Sequence, residues 1–313
     1  MEMVIAGVAA ATAGAICNPL EVVKIRMQLQ GELKARGQYA VHYRNVFHAF
    51  YTIATKDGFF ALQKGIFPFI LYQFSANSVR LGLFQLANQN GLTRNKNGSV
   101  NASKTLFYAT TSGALGGVAC SPFYLVKTHL QSKANEVKIA VGHQHSHEGT
   151  FHAFYTIYKE FGFKGLWRGM SSMVPRIAMT SATQLTSFEV IHEFTKAQFP
   201  DRVWTPLCLA SFGTGFFMTL GMAPFDVIAT RFYNQGTDAN GKGLLYRTAV
   251  DCAVKTFQKE GVRGFFKGWT ACYFRLGPYV MLVMVIWDRL KFQHQEYLRN
   301  KMSIPDGVVS EAA

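Results

Sequence analysis

Phe47-His48-Ala49-Phe50-Tyr51-Thr52-Ile53 recurs unchanged as Phe151-His152-Ala153-Phe154-Tyr155-Thr156-Ile157, 104 residues further along a chain of 313. Identity over seven residues is far beyond chance, so an internal repeat governs the fold. Three prolines extend the period: Pro19, Pro122 and Pro224 each stand near the end of an uncharged run and are 103 and 102 residues apart. Downstream of them, Asp57-Gly58 with Lys64-Gly65, Phe161-Gly162 with Arg168-Gly169, and Glu260-Gly261 with Lys267-Gly268 keep one nine-residue frame. The chain therefore divides into three repeats, residues 1–99, 100–201 and 202–300, and a tail, 301–313.

Each repeat holds two apolar stretches. Met3 to Leu20, Thr105 to Val126 and Val203 to Phe225 contain no Asp, Glu, Lys or Arg. Gly65 to Leu92, Gly169 to Phe188 and Gly268 to Trp287 are each broken by one arginine, Arg80, Arg176 and Arg275. A helix needs roughly 20 apolar residues to cross a bilayer, a length these stretches approach or exceed, and soluble helices are usually amphipathic along their length. The expectation is an all-α membrane protein with six transmembrane helices in three pseudo-symmetric repeats. Hydrophobic residues at 49% against 16% charged exclude a disordered chain. A net charge of +14 and a pI near 9.6 invite a nucleic-acid reading, and a mean hydropathy of +0.08 is low for a simple lipid-exposed bundle. Charge segregation answers both: residues 24–64, 127–168 and 229–267 hold 20 basic and 8 acidic residues, so most of the charge lies in the connections inside the repeats. No nucleic-acid partner is expected.

Those connections contain further apolar-periodic segments, Asn45 to Lys56, Thr150 to Glu160 and Arg247 to Glu260, read as short surface helices with glycine-ended turns. Proline within a helix removes a hydrogen bond, so bends are expected at Pro19, Pro122 and Pro224. Gly113 and Gly117 form a small-xxx-small pair suited to close packing. The five cysteines are scattered singly in apolar surroundings and read as core residues. No nucleophile, base and orienting group recur at catalytic spacing and no glycine-rich phosphate loop is present, so neither an enzyme nor a cofactor is expected. His143, His145 and His147 alternate in a polar connection without helical i, i+4 spacing, and are read as a solvated loop with no metal.

At the prolines the sequence resembles a known family. Pro19-Leu20-Glu21-Val22-Val23-Lys24 is similar to the signature of the mitochondrial carrier family, proline, x, acid, two residues, base. Pro122-Phe123-Tyr124-Leu125-Val126-Lys127 and Pro224-Phe225-Asp226-Val227-Ile228-Ala229 are degenerate copies. Pro19 to Leu33, His42 to Phe50, Ala223 to Asn234 and Tyr273 to Pro278 look most like its oxaloacetate-carrier-like branch. The resemblance covers nearly the whole chain. It implies a monomeric six-helix barrel with pseudo-threefold symmetry in the mitochondrial inner membrane, alternating access to one central site. Positive connections stay on the electrically negative side, so the inside-repeat connections should face the matrix and both termini the intermembrane space.

The resemblance also assigns gates. For the matrix gate, Asp226 is expected to pair with Lys127, while Glu21 would face Ala229 and Lys24 would face Tyr124, leaving two of three ion pairs missing and the gate weakly locked. Gln28 and Gln131 match positions that brace such pairs. For the cytoplasmic gate, Glu189 pairs with Lys291, Gln85 with His192 and Asp288 with Asn88. Gly58, Gly65, Gly162, Gly169, Gly261 and Gly268 match positions that hold cardiolipin phosphates with backbone amides at helix N-termini.

An arginine in mid-membrane is costly and normally faces a partner or a wet cavity. Arg176 and Arg275 each precede an expected gate acid by 13 residues, which places both about 20 Å below it on one level. Tyr72 and Gln73 share that level, and Arg80 lies roughly 12 Å higher. These five positions also match the family's substrate contact points. The even spans supply no carboxylate to cancel the arginines, which excludes a cationic cargo. Guanidinium groups bind carboxylate, sulfate or phosphate oxygens through paired hydrogen bonds. The expected cargo is a compact dianion clamped by Arg176 and Arg275, oriented by Tyr72 and Gln73 and drawn in by Arg80. Oxaloacetate, malonate or related dicarboxylates and keto acids lead, in exchange rather than proton symport. Sulfate, phosphate or phosphoenolpyruvate is the runner-up, and a non-transporting or leak-type protein of the same fold is the competing class.

Overall fold

The computed structural model describes residues 2–34, 38–93, 101–199, 204–238 and 241–303. Six long helices, α1 (Glu2–Leu29), α3 (Ile66–Gln89), α4 (Ala102–Ser132), α6 (Met170–Gln198), α7 (Trp204–Asn234) and α9 (Trp269–Ser303), alternate with three short ones, α2 (Val46–Lys56), α5 (Thr150–Leu166) and α8 (Ala249–Glu260). No strand is formed among the described residues. The shortest of the six has 24 residues, about 36 Å at about 1.5 Å per residue, enough for a hydrocarbon core of about 30 Å. On composition alone, Gly7–Leu29 and Val262–Trp287 are apolar enough to cross a membrane. The remaining long helices carry Ser, Thr, Gln and Tyr along their length, the composition of helices that face one another around a polar interior.

The long helices close into a ring: α1 packs on α3, α3 on α4, α4 on α6, α6 on α7, α7 on α9, and α9 on α1. Each short helix lies on the first long helix of its own repeat, α2 on α1, α5 on α4 and α8 on α7. The first long helices of the three repeats, α1, α4 and α7, also touch one another, so the ring is pinched where they meet. All three run unbroken through Pro19, Pro122 and Pro224. Pro122 cannot donate to the carbonyl of Val118, and the indole of Trp167 takes that acceptor at 2.9 Å.

Local chemistry sets the starts of the short helices. Asn45 accepts from the amide of His48 and Thr248 from that of Asp251, both as N-caps, while Asp251 accepts in return from the amide of Arg247. Gly65 opens α3 at φ 65°, where a side chain would be strained and its Cβ would press on Gln131 at 2.9 Å. Equivalent contacts tie Gly169 to Tyr233 and Gly268 to Gln28, so each repeat abuts the next one around the ring. Gly113 and Gly117 do face a neighbouring helix: a Cβ there would meet Ile177 of α6 at 2.9 and 3.0 Å. Cys17, Cys120, Cys252 and Cys272 are buried free thiols. Helix α9 continues to Ser303, and the tail beyond it lies outside the described residues.

Candidate functional site

Where α1, α4 and α7 converge, the side chains of the residues shortly after each proline turn inward. Lys127 Nζ lies 2.5 Å from Glu21 Oε1, and Lys24 Nζ lies 2.9 Å from Asp226 Oδ2. Each of the two acids therefore meets the base of the following repeat, the reverse of the expected direction. Asp226 pairs with Lys24 rather than with Lys127, and Glu21 takes Lys127. The physical consequence is a correction to the weak gate. Acid and base are missing from the same junction, α4 against α7, so two complete ion pairs remain and no charge is orphaned. At that third junction Tyr124 Oη lies 3.4 Å from Thr230 Oγ1, a weak substitute.

Gln28 braces one pair as expected, donating to Asp226 at 2.6 Å and accepting from Thr230 at 2.7 Å. Gln131 instead donates to Asn18 at 2.8 Å and joins α4 to α1 without touching the Glu21 carboxylate. Lys127 is further enclosed by aromatic rings, its Nζ lying 4.8, 5.1 and 4.7 Å from the centroids of Phe69, Tyr72 and Tyr124.

The inward arginines of α6 and α9 reach the same cluster. Arg176 Nε donates to Asp226 Oδ1 at 2.7 Å and its Nη1 to the Tyr72 hydroxyl at 3.2 Å. Arg275 Nε lies 2.7 Å from Glu21 Oε2, an ion pair whose angle falls outside hydrogen bonding, and the guanidinium stands 5.7 Å from the Tyr279 ring. Both arginines are buried, each 6% exposed. The second long helix of each repeat was expected to offer these arginines no carboxylate; the carboxylates that meet them come instead from α1 and α7. Arg80 lies apart from this cluster and donates to Gln184 Oε1 at 2.9 Å. Because α3 and α6 are not neighbours in the ring, the Tyr72–Arg176 and Arg80–Gln184 contacts cross its interior. Gln73 is also buried, against Gly14 of α1.

Gln184 and Tyr279 were not singled out from the sequence. Gln184 stands two turns beyond Arg176 and Tyr279 one turn beyond Arg275, spacings that share a helix face and would have found them. Of the expected cytoplasmic gate, the side chains of Glu189, His192, Asp288 and Lys291 lie outside the described residues. Gln85 is half-buried, and Asn88 accepts a hydrogen bond from Thr93 of its own repeat.

Beside this charged cluster, a second layer binds the connections. Arg26 pairs with Asp57 at 2.7 Å, and Arg231 donates to both oxygens of Glu260 at 2.7 and 2.9 Å. Burial raises the Glu260 carboxyl, but Arg231 and Lys267 overcome it and hold the group below its ordinary value. Glu32, in the turn after α1, is pushed by burial to about 7 despite Arg231 and the Tyr246 hydroxyl, which donates to it at 2.9 Å. Burial likewise brings the Lys64 ammonium down to about 8. Lys64 and Gly65 line a cleft of about 310 Å³ with Lys133, His147, Gly149 and Thr150, so the start of α3 faces the start of α5. Gly58, Gly162 and Gly261 have open space where a side chain would go.

The loop histidines are not a solvated string, which is a further correction. The connection folds back on α4, His147 is buried, and the His145 ring lies flat on that of His129 with centroids 3.5 Å apart. His129 sits in the charged end of α4, where sequence spacing gave no link to the loop.

Three consecutive matches to the mitochondrial carrier protein family cover residues 1–94, 98–198 and 201–297. The chain is 46% identical over 293 residues to human solute carrier family 25 member 35, covering 93% of this chain and 97% of that protein. It is 35% identical over 294 residues to the mitochondrial oxaloacetate transport protein of Saccharomyces cerevisiae, covering 92% and 88%. It is 31% identical over 290 residues to dicarboxylate carrier UCP2 of Danio rerio, covering 91% and 89%.

Proposed function

The chain belongs to the mitochondrial carrier family, a family of inner-membrane transporters rather than enzymes, and from that premise we propose that it exchanges small dianions across the membrane. Oxaloacetate, malonate and related dicarboxylates or keto acids are the cargo. The observation that carries this reading is that Arg176 and Arg275 each hold a carboxylate at 2.7 Å inside the ring. Two guanidinium groups already matched to two carboxylates suit a substrate that brings two of its own. The names of the yeast oxaloacetate carrier and the zebrafish dicarboxylate carrier point the same way.

The cycle follows from competition. With the cavity open to the cytoplasmic side, Arg80 draws the dianion inward, and Tyr72 and Gln73 orient it. Its carboxylates take Arg176 and Arg275 from Asp226 and Glu21. Each gate acid then keeps its lysine but loses an arginine, and the matrix gate loosens only when cargo is bound. Return with a second anion restores the arginines to the acids, which favours exchange over leak. The six long helices span the membrane with both termini toward the intermembrane space, and the protein works as a monomer. Cardiolipin phosphates occupy the three glycine-ended turns. The cleft between Gly65 and Gly149, with Lys64 at its rim, supports one such position.

The test is exchange of labelled oxaloacetate, malonate, sulfate and phosphoenolpyruvate in proteoliposomes. The parent should exchange the dicarboxylates, and Arg176→Ala and Arg275→Ala should each lose at least tenfold. If no dianion exchanges, or both variants match the parent, the clamp is refuted.

A further inference from the structure

At the same place after each repeat's proline stand Arg26, His129 and Arg231. The three make one repeated contact, each donating to an equivalent backbone carbonyl of the next repeat: Arg26 to Gln131, His129 to Tyr233 at 2.9 Å and Arg231 to Gln28. In the first and third repeats the arginine also pairs with an acid at the end of the short helix, Asp57 or Glu260. In the second repeat Phe161 holds the acid's position, and two further histidines close on His129 instead. A guanidinium and its carboxylate have been replaced together by imidazoles.

Their nitrogens are arranged as ligands. A backbone carbonyl can only accept, so His129 donates through Nε2 to Tyr233 and His145 donates through Nε2 to the carbonyl of Asn234 at 2.9 Å. Both rings are thereby held as the tautomer whose Nδ1 carries the lone pair, the arrangement that orients metal-binding histidines. His129 Nδ1 accepts from His147 Nε2 at 3.3 Å, a proton that an ion would displace to the unpartnered Nδ1, and one nitrogen from each of the three rings falls within 4.8 Å of the others. Zinc–nitrogen bonds of about 2.0–2.1 Å lie near the plane of each imidazole, and the His145 ring is stacked on His129 with planes 11° apart, so His145 swings out of that stack when it completes the set. His147 is 7% exposed and its Nδ1 has no hydrogen-bond partner. His147 lines the cleft of about 310 Å³, which gives an ion its route in.

We propose that His129, His145 and His147 bind a late transition-metal ion, zinc(II) in character, which stands where the other two repeats place a guanidinium. Three imidazoles without a carboxylate or thiolate select zinc, nickel or copper over calcium or magnesium. The fourth position opens to the cleft. Arg168, within electrostatic reach of His129, His143 and His145, favours an anionic group there. The ion ties α4 to a loop that is itself anchored on the end of α7. This is the junction that lacks a gate ion pair, so the ion braces the closed gate there. The brace rests on the transport reading above, whereas the binding site does not.

The experiment uses tag-free, chelator-stripped protein in detergent. Cobalt(II) titration should give the visible bands of a tetrahedral site, and equilibrium dialysis should retain one zinc(II) per chain. His145→Asn and His147→Asn, which alter the loop and leave α4 intact, should each weaken binding at least tenfold, while His143→Asn and His152→Asn bind as the parent does. A parent that retains no zinc, or loop variants that retain it fully, overturns the site. In liposomes zinc should slow exchange by the parent and leave His145→Asn unaffected. Equal slowing of both overturns the brace, whereas absence of exchange without zinc counts against the transport reading alone.

Discussion

Asp226 offers the sharpest perturbation, because three donors converge on a fully buried carboxylate: Lys24 at 2.9 Å, Arg176 at 2.7 Å and Gln28 at 2.6 Å. Asp226→Asn keeps the volume and removes the charge. Lys24 is left with Glu21 at 3.3 Å, and Arg176 with the Tyr72 hydroxyl and the Met173 sulfur. Removing one partner of a buried pair costs about 3–5 kcal/mol, since the other charge stays desolvated. In a state with α1, α4 and α7 apart these contacts are absent, so the cost falls on the closed gate. Under the transport reading that is a shift of about two to nearly four orders of magnitude toward opening, with a loss of about 5–10 °C in unfolding temperature. The buried free cysteines supply the assay: a thiol-reactive fluorogenic dye reports unfolding of purified protein. Lys24→Gln added to Asp226→Asn should cost far less than the two single changes summed, which measures the coupling directly. Tyr124→Phe, at the junction without an ion pair, should shift the transition by about a degree or less. The reasoning fails if Asp226→Asn melts with the parent, or if Tyr124→Phe costs as much.

Gln184→Leu should raise the KM for the transported dianion about tenfold, because a hydrogen bond to a charged group contributes about 1.5–3 kcal/mol and Arg80 loses its placement; an unchanged KM would sink this role. Gly113→Leu should destabilise by about 1–3 kcal/mol by driving into Ile177, whereas Gly215→Leu, with open space around it, should be neutral, and equal melting of the two would contradict the packing. Stability should also depend on pH through His145, whose folded value of about 3 lies below the unfolded value near 6.5. The folded state then binds fewer protons between those limits, so the parent loses stability relative to His145→Asn as pH falls from 6.5, by up to about 1.4 kcal/mol per pH unit. Glu32, raised to about 7, acts oppositely, favouring the folded state at low pH, and cancels in that difference. A difference independent of pH would refute the burial of a neutral imidazole.

Much of the site was legible because a repeat converts sequence spacing into spatial equivalence. Tyr72 and Arg176, placed on one level by counting the helical rise back from the expected gate, do meet, and Arg80 is indeed separate, on Gln184. The glycines at 113 and 117 were readable from small residues one helical turn apart. Gln184 and Tyr279 could have been found by carrying the arginine face forward by one or two turns. The histidine cluster could not, since His129 belongs to the end of α4 and His145 to the connection after it, and only the fold-back of that connection joins them.

Sequence alone determined three repeats, their helices and the inward level of the arginines, because these follow from local periodicity and from a tripled period. Tertiary structure decided who pairs with whom. Asp226 has a candidate base on either side, Lys24 or Lys127, while Glu21 has Lys127 on one side and Ala229 on the other, and only the handedness of the ring selects the following repeat. That choice turned two apparently missing ion pairs into one neutral junction. It also brought Asp226 within reach of Arg176 in the preceding repeat, and Glu21 of the first helix within reach of Arg275 on the last. Charges interact through a few ångströms of space, and the chain order does not contain that distance.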